Sequence, residues 1–85
     1  MARLSDEINI GKVVEQQLHE VGISSINELR QTGSREAWLR ILAMDPSACY
    51  NRLCGLEGAI RGIRWHNLDE DVKRELKTFY MEHKG

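Results

Sequence analysis

Apolar residues recur along this chain at helical spacing, and no window alternates apolar and polar residues for long enough to read as a strand. The first run, Ile10, Val13, Val14, Leu18 and Val21, falls within about 140° of arc on a helix, with Glu15, Gln16, His19 and Glu20 outside it. It predicts a helix from about Ile10 to Val21, closed by Gly22 as a left-handed C-cap with Ile23 as the accompanying apolar contact. Ser25-Ile26-Asn27-Glu28 has the form of a capping box, in which the hydroxyl and the carboxylate satisfy orphan backbone amides. It opens a short helix carrying Ile26 and Leu29 that should end at Gly33. Ser34 then starts a third helix through about Ala43, with Ala37, Trp38, Ile41 and Leu42 on its buried side.

Asp45-Pro46 reads as the restart of a fourth helix, an N-cap oxygen followed by a proline in the first turn, where its missing N–H costs nothing. Over Pro46 to Ile63, Cys49, Leu53, Leu56, Ile60 and Ile63 share about 80° of arc. A second arc holds small residues, including Gly55, Gly58, Ala59 and Gly62; Cys54, Glu57, Arg61 and Arg64 fall on a third. A glycine inside a helix costs about 1 kcal/mol relative to alanine, so the glycine face is expected to be compensated by close approach of another helix. That makes the fourth helix the central one. After a turn at Arg64-Trp65-His66, Asn67-Leu68-Asp69-Glu70 reads as another reciprocal cap. It opens a last helix from about Leu68 to Glu82, with Leu68, Val72, Leu76 and Phe79 on one stripe. The expected fold is all-α: a compact bundle of about five helices forming a single domain over residues 1–85.

Composition narrows the function. Hydrophobic residues make up 41% and charged residues 29% of the 85, ordinary for a globular domain. A chain this short buries roughly 60–65% of its unfolded surface, which leaves little apolar material to line a deep substrate cavity. Twelve Lys and Arg stand against thirteen Asp and Glu, a net charge of -1, so any nucleic-acid contact must come from a local patch and not from a broad basic surface. No run approaches the roughly 20 apolar residues of a membrane-spanning helix, so no membrane partner is expected. The N-terminus turns acidic at Asp6-Glu7 without the apolar run of a signal peptide. Cys49 and Cys54, about 140° apart on a helix, read as two reduced structural thiols. The expected location is cytoplasmic.

The runs Ile8-Asn9-Ile10-Gly11-Lys12-Val13-Val14, Leu18-His19-Glu20-Val21-Gly22-Ile23 and Ile26-Asn27-Glu28-Leu29 resemble the C-terminal domain of the TfoX (Sxy) family. So do Leu56-Glu57-Gly58-Ala59-Ile60, Gly62-Ile63-Arg64-Trp65-His66 and Leu76-Lys77-Thr78-Phe79-Tyr80, the most specific stretch being Glu57 to His66. The resemblance covers about Ile8 to Glu82. It implies a bacterial protein and a part in transcription regulation, the best-known members controlling competence genes. Members often carry a further N-terminal domain, and the 85 residues correspond to the C-terminal domain alone. The first half also resembles a helix-hairpin-helix element, in the SAM-like class of helical folds, and the helical C-terminal domain of the RNA polymerase α subunit. Many such hairpins bind DNA phosphates through backbone amides. The pattern apolar-Pro-Gly-apolar-Gly is here Glu7-Ile8-Asn9-Ile10-Gly11, with Asn9, which tolerates the left-handed conformation, at the turn.

The candidate nucleic-acid site is therefore Asn9, Ile10, Gly11 and Lys12, with free amides at a helix start. Arg61 and Arg64 are secondary candidates. Trp38 reads as core, and Trp65-His66 as a plug at a helix junction in preference to a stacking platform. His19, His66 and His83 are scattered without ligand spacing, so neither a metal nor another cofactor is expected. No nucleophile and base are signalled, and an enzyme is not expected. The reading is a noncatalytic regulatory interaction domain that contacts nucleic acid weakly. The alternative is a protein-interaction or self-associating module, a homo-oligomer or the partner of a regulatory protein, with no nucleic-acid contact.

Overall fold

The computed structural model describes residues 4–84, and every regular element among them is helical. A 3-10 turn at Leu4–Asp6 leads to α1 (Lys12–Glu20), α2 (Ile26–Thr32), α3 (Ser34–Met44) and α4 (Tyr50–Arg61). A second 3-10 turn, Trp65–Asn67, joins α4 to α5 (Glu70–Lys84). The all-α, five-helix architecture expected from the hydrophobic pattern is the one observed.

Backbone hydrogen bonds account for most of the boundaries. At the end of α1 the Ile23 N–H bonds the Leu18 carbonyl (2.8 Å) and the Gly22 N–H bonds that of His19 (3.1 Å). With Gly22 at φ 89°, this is the closed C-cap predicted, and the Ile23 side chain it turns inward is buried. At α2 the Glu28 N–H reaches the Ser25 hydroxyl (3.1 Å). The Glu28 carboxylate accepts from the Ser24 hydroxyl (2.7 Å) and not from a backbone amide, so of the expected capping box only the serine half forms. Gly33, at φ 89°, ends α2 and starts α3 without an intervening loop.

The fourth helix differs from expectation at both ends. The Asp45 carboxylate accepts from the Ser47 N–H (3.0 Å) and hydroxyl (2.6 Å), while its carbonyl takes the Ala48 N–H (3.0 Å). Asp45-Pro46 therefore closes a tight turn and does not cap a helix. The N-cap is Cys49, in extended backbone four positions later than Asp45, and the Cys49 carbonyl accepts the Trp38 indole N–H (3.2 Å). At the other end Gly62 is left-handed (φ 74°) and the Ile63 N–H bonds the Gly58 carbonyl (3.0 Å), so the helix stops at Arg61, short of Ile63. The buried stripe shifts accordingly. Leu53 and Leu56 are core as expected, but so is Cys54, whereas Cys49 is exposed and Ile63 is 37% exposed. Val13, placed on the core arc of α1, is 66% exposed.

α4 is central, packed on α3, α5 and α2. Trp38 on α3, wholly buried, meets Phe79 edge-on and Tyr80 at a tilt, both on α5. Helix α5 begins two residues late, the Lys73 N–H bonding the Asp69 carbonyl, and Leu68 is buried just ahead of it. Burial pushes the Cys54 thiol above its ordinary range, and Tyr50 beside it, also desolvated, is pushed up to about 12. The two thiols should part company in a maleimide reaction. Cys49 is expected to label rapidly in the native protein, and Cys54 only at the rate of unfolding. Equal rates would contradict this placement.

A candidate anion-binding cleft

The residues singled out at the first turn do not form one surface. Asn9 adopts the left-handed conformation (φ 69°), as its residue type allowed. Its side chain turns away from α1. The Nδ2 donates to the Ile63 carbonyl (2.8 Å) and the Oδ1 accepts from the Trp65 N–H (3.4 Å). Asn9 is thus a clasp between the first turn of the chain and the α4–α5 connection. Gly58 is what lets it close, since a Cβ there would lie 2.5 Å from Asn9 Nδ2 and 2.7 Å from the Ile63 carbonyl oxygen. The compensation expected for the glycine face is real at Gly58, but it comes from a turn and a loop and not from another helix. Gly55 faces Asn9 more loosely, at 3.6 Å, and Gly62 is the helix terminator.

Ile10 is core, and its N–H bonds the Glu7 carbonyl (3.3 Å), so that amide is not free as the hairpin resemblance implied. Gly11 is the N-cap of α1, without a side-chain acceptor; it and Lys12 are exposed. Arg61 is held by Glu57 one turn earlier (2.6 Å). Burial alone would raise the Glu57 carboxyl, but hydrogen bonds from Ser34 and Arg61 hold it below its usual range, so Arg61 keeps a charged partner.

Asn9 and Arg64 do come together. They line a cleft of about 320 Å³ with Ile8, Val14, Asn51, Arg52, Gly55, Leu56, Trp65 and His66. No carboxylate lines it, although acids outnumber bases in the chain. Arg64 is exposed, and its side chain makes no hydrogen bond or ion pair to any other described residue. Arg52 is bound to Asp45 (3.1 Å), whose carboxyl the Ser47 hydroxyl and N–H, with Gln17, hold well below the usual range. Trp65 and His66 stack on each other, ring centroids 3.9 Å apart and planes inclined by 28°. The Trp65 N–H is held by Asn9, and the His66 carbonyl accepts from the Lys73 ammonium (2.8 Å). Arg52 and Asn51 carry no sequence signal for this site because four separate segments meet here, and Trp65-His66, expected as a junction plug in preference to a stacking platform, lines it. The dipeptide Trp65-His66 was the one local signal. Among the described residues no group of three or more His, Cys, Asp or Glu converges as a metal site would need, and no helix is long and apolar enough to cross a membrane.

Fold and cleft together define a small all-α domain with an acid-free polar cleft at the junction of its first turn and its α4–α5 connection. The chain belongs to the TfoX C-terminal domain family, whose model matches residues 1–80. It is 36% identical over 74 residues to protein Sxy of Escherichia coli K12, an alignment covering 87% of this chain and 35% of that protein. The chain thus spans about a third of the length of that curated relative. Two crystal structures of Listeria monocytogenes proteins of unknown function are similar to it throughout. A triclinic form is 52% identical with a TM-score of 0.96, covering 99% of this chain and 96% of that one. A tetragonal form is 52% identical with a TM-score of 0.92, covering 94% and 98%.

Proposed function

We propose that this domain is a noncatalytic regulatory interaction module that holds nucleic-acid phosphates weakly, in the cleft beside the Asn9 turn. The observation that carries the reading is the acid-free lining, with Arg64 uncommitted, in a chain of net charge -1. The regulatory half rests on membership of the TfoX C-terminal domain family. Arg52 also lines the cleft but shares its charge with Asp45, and Lys12 is exposed outside the lining in the first turn of α1, so at most two or three phosphates are neutralised per protomer. Titrating a labelled random duplex at several salt concentrations should give a slope of log affinity against log salt of about -2 to -3. Contacts to phosphate carry no base information, so any duplex should compete about equally. Arg64→Glu should weaken binding several-fold with the melting temperature unchanged, because the side chain holds nothing within the fold. No binding near millimolar protein, or binding indifferent to Arg64→Glu, would sink this reading in favour of a protein partner.

A further inference from the structure

We infer that the cleft accepts an unpaired nucleotide, its base stacked on the outer face of the Trp65–His66 pair and its phosphate on Arg64. The inference rests on the phosphate-binding reading above and adds the form of nucleic acid that fits. Stacking needs a flat face that is exposed, fixed and unused. His66 is exposed, and its ring makes no aromatic contact among the described residues except the one with Trp65. The pair is fixed from both sides, by Asn9 on the Trp65 N–H and by Lys73 on the His66 carbonyl. A stacking surface that is already ordered gives up little conformational freedom on binding.

The remaining lining suits a nucleotide. Asn51 is exposed and makes no side-chain hydrogen bond to a described residue, leaving an amide donor and acceptor for a base edge. Arg64 offers a planar guanidinium to the phosphate. At about 320 Å³ the cleft is at the lower end of small-ligand sites, which run from about 300 to 1,000 Å³. Bases within a duplex are stacked on one another and cannot reach such a platform, whereas every unpaired base presents a face to it.

The test compares a short labelled oligothymidylate with a duplex of equal length at low salt, following anisotropy and tryptophan emission. Trp38 is wholly buried, so a change in emission on binding reports Trp65. The single strand is expected to bind about tenfold more tightly than the duplex and to quench emission. His66→Ala should bring single-strand affinity down to that of the duplex while lowering the melting temperature only slightly, since the variant loses the stack on Trp65 but keeps the Lys73 bond to the backbone carbonyl. His66→Phe should restore it. Equal binding of both forms by the unmodified protein, or a preference that survives His66→Ala, overturns the inference and leaves the phosphate reading standing. Failure to bind either form overturns both.

Discussion

Gly58→Ala is expected to destabilise the protein by about 1–3 kcal/mol, although helix propensity alone would favour alanine by about 1 kcal/mol. Gly58 lies within α4, where a methyl group is normally welcome. Here the added Cβ would stand 2.5 Å from Asn9 Nδ2, 2.7 Å from the Ile63 carbonyl oxygen and 3.1 Å from the Trp65 nitrogen. Two of the three are backbone atoms of the turn that ends the helix, so no side-chain rotation relieves the overlap. The clasp made by Asn9 has to open, and the cleft loses its floor with it. Gly55→Ala is the control. Its Cβ would meet Asn9 at 3.6 Å, an ordinary contact, so stability should hold or rise. At roughly 4–8 °C per kcal/mol for a domain of this size, thermal melting separates the two variants clearly. A Gly58→Ala protein that melts at or above the parent temperature would show that the turn does not press on the helix.

Trp38→Ala is expected to cost more, about 3–5 kcal/mol, a large part of the 5–15 kcal/mol that holds a typical domain together. The indole is wholly buried, edge-on to Phe79 (centroids 6.0 Å) and tilted against Tyr80 (5.8 Å), so its loss opens a cavity between α3, α4 and α5. The Nε1–H also bonds the Cys49 carbonyl at the very start of α4. Trp38→Phe separates the two contributions. It keeps much of the ring packing and loses the hydrogen bond, worth about 0.5–1.5 kcal/mol net, as well as some volume. Urea unfolding followed by circular dichroism measures both. A loss below about 1 kcal/mol for Trp38→Ala would mean that the three-helix junction is loosely packed, contrary to its close ring contacts.

Where the chain's helices end was legible wherever the signal was local. Gly22, Gly33 and the Ser25 N-cap act through hydrogen bonds spanning a few residues, and each appears as the sequence pattern predicts, although the Glu28 carboxylate turns to the Ser24 hydroxyl and not to a backbone amide. The start of α4 was misread because an aspartate before a proline serves equally well to cap a helix or to close a turn. The extended backbone at Cys49 decides between them, because the single turn closed by the Ala48 N–H on the Asp45 carbonyl does not run on into α4. That four-residue difference also exchanged the roles of the two cysteines, leaving Cys49 at the exposed N-cap and Cys54 in the core. Val13 was misplaced for another reason: the apolar arc of α1 is wider than the surface its neighbours cover.

The sequence by itself determined that the chain is helical, how many helices it has, which family it belongs to, and that Trp38 is core. Those properties are carried by periodicity, local capping and a contiguous motif. Only the tertiary structure decided where the polar cleft lies. Asn9 and Arg64 are 55 positions apart in sequence, and no periodicity relates them. They meet because Gly58 has no side chain, which allows the Asn9 amide to reach the Ile63 carbonyl across the end of α4. The same fold removed Ile10 and Arg61 from the candidate site, one by burial in the core and the other by pairing with Glu57. Residue type can propose a contact of this kind, but the path of the backbone decides whether it forms.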